Sequence, residues 1–184
     1  SEEKHSSAHR TRAWARWQLG RPGPAAQDYA SAIAYSKRPA PDLYRSLIIT
    51  QYASGGELRT KAAGSADAGL QKFPGEASLL GLAVDLALAD ADTGRTGGYM
   101  DSLSPGLMKL PQWTFRRAVL FCLEGDVDRA ETGFESLLPE DGNELSKRPG
   151  SWTVAPEFIE ALAAEPDPRA CRDAARTRLE EQQP

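Results

Sequence analysis

Gly20, Gly55 and Gly125 fall on one ruler of 35 residues, and Ala13, Ile48, Ala83 and Ala118 fall on the same ruler without a gap. A fixed period between about 20 and 50 residues marks stacked supersecondary units, each unable to bury its apolar face alone. A looser row runs beside the ruler, with Tyr44, Leu79 and Trp113 as large residues in three of four units and His9 in the other. The chain is therefore read as four related units before any single element is assigned.

The fourth unit is the clearest. Apolar residues follow a helical period from Trp113 to Leu123, Gly125-Asp126 breaks the pattern, and Ala130, Phe134, Leu137 and Leu138 resume it at i, i+4, i+7 and i+8. The first unit repeats this, with Ala13, Trp17 and Leu19 before Gly20 and Ala25, Tyr29, Ala32 and Ile33 after it. The middle units are weaker but in phase: Leu43, Leu47 and Ile48 precede Gly55-Gly56, which Ala62, Ala66 and Leu70 follow, and Leu79, Leu82, Ala83 and Leu86 make the first helix of the third unit. Gly94, Gly97 and Gly98 predict a short second helix there, near Tyr99 to Leu103. Pro39 and Pro74, again 35 apart, stand where a helix should stop. No segment alternates apolar and polar residues long enough for a strand.

The phase is lost beyond Pro139. A polar stretch over 139–155 reads as a loop, with Trp152 as a candidate plug or seal, and a pair of capping helices is expected over 156–184, each opened by a proline. Cys122, among Val119, Leu120, Phe121 and Leu123, reads as a small buried hydrophobe, and Cys171 as a free thiol.

Composition narrows the function classes. With 40% apolar residues the 184-residue chain can bury a continuous core, and its net charge of −4 argues against nucleic acid and against an anionic membrane surface. The longest apolar run, Leu79 to Ala91, is interrupted by Gly81 and Asp85, so no membrane span is expected. No signal peptide is visible in this chain, and the expectation is a soluble protein of undetermined compartment.

The pattern resembles the tetratricopeptide repeat family, whose unit of about 34 residues is a helical hairpin with small, aromatic and glycine positions at fixed offsets. The similarity covers roughly residues 6–138. It rests on Ala118, Phe121, Gly125-Asp126, Ala130 and Phe134 in the fourth unit and on Ala13, Gly20, Ala25, Tyr29 and Ala32 in the first. Arg12 and Arg117 depart from it, standing where leucine is usual, and Gly64 stands at an aromatic position unless two inserted residues bring Ala66 there. The resemblance implies an all-α, right-handed α-solenoid of about four hairpins over 1–138. Within it the first helix of each hairpin would line a concave surface: Arg10, Trp14 and Trp17, then Arg45 and Ile49, then Leu80 and Val84, then Phe115, Val119 and Cys122. A period of 35 is also that of pentatricopeptide repeats that read single-stranded RNA, but those are basic arrays and this chain is acidic.

The implied function is a non-catalytic protein-interaction module that binds a peptide or partner protein in its groove through Arg10, Trp14, Trp17, Arg45 and Phe115. Arg10 and Trp14, four apart, can stack as a cation–π pair. The alternatives are a structural subunit of a larger complex, contacted on convex or terminal faces, and an RNA-binding repeat. A two-carrier clamp on a terminal carboxylate lacks its asparagines. His5 and His9 have metal-ligand spacing but no third ligand, and a frayed helix explains them. The run Asp90 to Gly94 lacks the closing glutamate of a calcium loop, and Gly94 to Gly98 lacks the lysine of a phosphate loop. With both histidines near the N-terminus and no nucleophile beside a base, no catalytic residue, cofactor or metal is expected.

Overall fold

The computed structural model describes residues 2–136, apart from the side chains at 127, 131, 134 and 135. Within them every regular element is helical: α1 (Glu2–Gln18), α2 (Pro22–Tyr35), α3 (Pro41–Ser54), α4 (Gly56–Lys72), α5 (Ala77–Ala89), α6 (Thr93–Asp101), α7 (Pro111–Leu123) and α8 (Val127–Glu135), with one 3-10 turn at Leu107–Lys109. The expected loop over 139–155, the capping pair over 156–184, Trp152 and Cys171 lie outside the described residues. Proline opens α2, α3 and α7, where a missing N–H costs nothing and the fixed φ suits a first turn.

The chain divides into two compact units, with the boundary in sequence between Ala83 and Val84. In the first, α1 packs on α2, α2 on α3 and α3 on α4, so sequence neighbours are also spatial neighbours. Its core joins Ala13, Ala25, Ala26, Tyr29, Ala32, Leu43 and Leu47. In the second, α7 packs on α8 and touches α6. Every residue from Leu79 to Ala89 in α5 is buried, as befits a helix apolar on all sides.

The ruler has a direct physical meaning. Ala13, Ile48 and Ala118 are fully buried and Ala83 retains 2% exposure, so the same step inside four first helices faces a packed interior. Seven residues later Gly20, Gly55 and Gly125 hold φ of 68°, 68° and 80°, the left-handed conformation in which a Cβ is strained. At Gly20 and Gly125 the helix closes as a Schellman motif: the Gly20 N–H donates to Trp17 O and the Arg21 N–H to Arg16 O, and Gly125 and Asp126 donate likewise to Cys122 O and Phe121 O.

The third unit lacks a glycine at this step because its first helix runs one residue longer. Ala91 takes the left-handed position, with φ of 52°, and the same two bonds form, Ala91 N–H to Leu88 O and Asp92 N–H to Ala87 O. An alanine there carries a cost that glycine does not, on the order of 1 kcal/mol. Ala91→Gly should therefore raise stability by about 0.5 kcal/mol after the extra unfolded-state freedom of glycine is subtracted. Thermal melting checks this: a lower melting temperature would show that Ala91 is not strained.

The second helices keep register more loosely. Ala25, Thr96 and Ala130 are fully buried five residues after their turns, whereas in the second unit the equivalent buried step is Ala62, seven residues after Gly55. Two residues are thus inserted after the second turn. Gly64 is exposed and Ala66 takes the buried position, which resolves the alternative left by the sequence. Close approach replaces side-chain bulk where α7 meets α8, since a Cβ on Gly133 would stand 2.8 Å from the Cβ of Ala118.

Candidate functional site

The site is built on α1, and an ionic clasp fixes that helix. Asp28 of α2, with only 4% of its side chain exposed, accepts from Arg12 Nε at 2.8 Å, Arg12 Nη2 at 2.6 Å and Arg16 Nη1 at 2.8 Å. His9 Nδ1 lies 3.3 Å from Asp28 Oδ1 and 3.3 Å from Arg12 Nη2, so in neutral form it either donates to the acid or accepts from the guanidinium. Hydrogen bonding from Arg12 holds the Asp28 carboxyl below the usual carboxylate range, against the opposing effect of burial. The first turns are tied as well, where Ser6 Oγ donates to Ala32 O at 2.8 Å.

This geometry explains Arg12, which the repeat pattern left as an anomaly at a leucine position. It also corrects the reading of the histidines as part of a frayed end: His9 stacks on Tyr35 with centroids 5.5 Å apart, and His5 meets the same ring edge-on at 5.7 Å.

With its 9/12/16 face clasped to α2, α1 turns Arg10, Thr11 and Trp14 outward. They form one wall of an open cleft of about 360 Å³; Asp42 and Ser46, one turn apart on α3, form another, and Tyr29 of α2 completes the lining. Trp14 is 59% exposed while its neighbour Ala13 is fully buried, so one residue of helical phase separates ruler from surface.

The expected Arg10–Trp14 stack is not formed in this structure. Cation–ring contacts occur elsewhere: Arg59 over Tyr52, Lys72 over Tyr44, Arg95 over Tyr99, Arg116 over Trp113 and Arg129 over Phe121. The indole face of Trp14 carries no guanidinium.

The remaining expected groove residues divide by unit. Trp17 is half-buried against the core of the first unit, while Arg45 is exposed and Ile49 half-buried on α3, neither lining the cleft. Leu80, Val84, Phe115, Val119 and Cys122 are buried. The face that is open on α1 is closed on α5 and α7, because those helices carry apolar residues on more than one side. Cys122 is disulfide-bonded rather than merely a small hydrophobe.

A second ion pair lies inside the other unit. Asp85 and Arg116, with side chains 1% and 7% exposed, face each other bidentately, Nε to Oδ1 and Nη2 to Oδ2 both at 2.7 Å. Burial pushes the Asp85 carboxyl up, and the Arg116 fork works against that. The sequence reading missed Asp28 and this pair. The available signals were Asp85 as a lone acid inside an apolar helix, and His9, Arg12 and Arg16 recurring on one face of α1 opposite a helix with a single acid.

Asp92, in the middle of the run read against a calcium loop, caps α6 by accepting from the Arg95 N–H at 2.9 Å. Among the described residues no three His, Cys, Asp or Glu side chains converge as a metal site, and no helix is long and apolar enough to cross a membrane. Set against known proteins, the chain matches no family model, no curated protein and no solved structure.

Proposed function

We propose that the chain is a tetratricopeptide-like, right-handed solenoid of helical hairpins that acts without catalysis, binding a peptide or partner protein on the outward face of α1 and α3. The observation that carries this is Trp14, a large aromatic left 59% exposed over a cleft while the ruler residue beside it is sealed. Exposed tryptophan beside arginine is the composition of interface hot spots, where a few side chains supply most of the affinity. Arg10 stands beside it in the cleft wall, and Trp17 packs α1 against the core beneath, while Arg45 is exposed on α3 outside the cleft lining.

Replacing Trp14 tests the reading, because binding and folding separate there. Trp14→Ala should weaken capture of the natural partner at least tenfold while stability moves by no more than about 0.5 kcal/mol, as expected of an exposed side chain. A melting temperature that falls steeply would place Trp14 in the core instead.

A second reading, a structural subunit held by other faces, draws on Leu19 and Leu110, which are 70% and 39% exposed and line neither the cleft nor the core. Under that reading Leu19→Ser, not Trp14→Ala, would release the protein from its assembly.

A further inference from the structure

The cleft lined by α1, α2 and α3 gathers several polar side chains whose bonding is open. Elsewhere, helix-borne hydroxyls commonly donate back to a carbonyl of their own helix: Ser31 to Gln27 O, Thr50 to Ser46 O, Ser54 to Thr50 O and Thr60 to Glu57 O. In the cleft none of the polar side chains is committed. Arg10, Thr11, Tyr29, Asp42 and Ser46 make no side-chain hydrogen bond or ion pair with any other described residue.

Tyr29 is the telling member. Only 6% of it is exposed and its ring belongs to the core, yet its hydroxyl has no internal acceptor or donor and is not among the sealed polar atoms. A phenol so placed ordinarily finds a bond. Its hydroxyl is available to whatever occupies the cleft.

These uncommitted groups have a definite chemistry. A cation (Arg10) stands on α1 and an anion (Asp42) on α3, three hydroxyls can both donate and accept, and an indole face lies open at the rim. Alternating N–H and C=O groups of an extended main chain match three hydroxyls, an acidic side chain matches Arg10, a basic one matches Asp42, and a bulky apolar one covers Trp14. The volume, about 360 Å³, lies at the lower end of ligand sites and suits a few residues rather than a folded surface.

We infer that the cleft between α1 and α3 takes a short extended peptide segment that carries an acidic residue for Arg10, an apolar side chain for Trp14 and a basic residue for Asp42. This rests on the interaction reading above and adds the charge pattern of the ligand. A purely acidic or purely basic peptide satisfies one wall and meets like charge on the other, so the cleft discriminates by charge order as well as by content.

The test uses the full chain and four blocked, fluorescein-labelled peptides that differ only in a central triplet, Glu-Leu-Lys, Lys-Leu-Glu, Gln-Leu-Gln and Gln-Ser-Gln, each flanked by Gly-Ser repeats and followed by fluorescence polarisation. One of the two charged orders should bind at least tenfold tighter than its reverse and than Gln-Leu-Gln. Arg10→Ala and Asp42→Ala should each remove most of that advantage. The charge-swapped variant Arg10→Asp/Asp42→Arg should prefer the opposite order; both substituted positions are exposed, so folding is not at stake.

Tyr29→Phe, which keeps the core ring, should weaken the preferred peptide several-fold with no change in melting temperature. Equal binding of all three Leu-containing peptides, lost in Trp14→Ala, would overturn the charge pattern and leave the interaction reading standing. Binding of no peptide would overturn both.

Discussion

Arg116→Ala is expected to cost about 3–5 kcal/mol, the penalty for leaving a buried carboxylate without its counter-ion. Asp85 is 1% exposed and both of its oxygens are taken by Arg116, so removing the guanidinium strands an acid that α5 cannot turn to water, since its neighbours Val84, Leu86 and Ala87 are buried as well. For a chain of this size the loss corresponds to a melting-temperature drop on the order of 10 °C. Replacing both partners tells penalty from gain. Asp85→Leu with Arg116→Met removes the charges together and should recover most of the stability, because an apolar pair needs no desolvation. If the double variant is as unstable as the single one, the pair contributes through geometry that apolar packing cannot supply.

The second large effect belongs to the clasp. Asp28→Asn keeps the shape of the side chain but removes the charge that Arg12 and Arg16 share. Three charge-assisted bonds weaken around an almost buried acceptor, for a loss of about 2 kcal/mol, moderated because the Arg12 side chain is 55% exposed and regains water.

The pH dependence follows from the sign of the shift. The folded-state pKa of Asp28 is lowered, so its contribution is fully present above the unfolded value near 3.9 and is lost as pH falls through the folded value. Urea denaturation at pH 7 and again near pH 2 should show wild type and Asp28→Asn well separated at the first and converging at the second. Curves that stay equally separated in acid would mean that the charge is not the source of the difference.

Because the clasp also orients α1, Asp28→Asn should weaken any ligand of the Trp14 cleft more than its effect on global stability requires. Arg12 and Arg16 hold one face of that helix while Arg10 and Trp14 present the other.

What the sequence revealed, and what it hid, follows from which interactions are periodic. The ruler at Ala13, Ile48, Ala83 and Ala118 was legible because its spacing is constant and each of its positions, on a helix, is buried. The turn glycines were legible because a left-handed residue is needed where a helix reverses. The third turn was less clear, since Ala91 accepts a strained φ in place of glycine.

The burial of α5 and α7 on several sides was missed, although in α5 the apolar residues flanking Asp85 on both sides pointed to it. That is why Phe115, Val119 and Cys122, placed on a groove by analogy, are interior. The ion pairs were hidden for a different reason: Asp28 with Arg12, and Asp85 with Arg116, are single events across 16 and 31 residues, and no period points to them. At the cleft, Arg10 and Trp14 could be chosen from helical spacing, whereas Tyr29, Asp42 and Ser46 come from other helices and join them only in three dimensions.

The central claim is that four first helices share one 35-residue register, each closed by a left-handed turn. Residue-resolved amide hydrogen exchange tests it most directly. Protection should rise to maxima around Ala13, Ile48, Ala83 and Ala118 and fall just beyond Gly20, Gly55, Ala91 and Gly125, where the first N–H groups of the following helices have no helical acceptor. Strong protection running unbroken through any of those turns, or fast exchange at a ruler position, would contradict it.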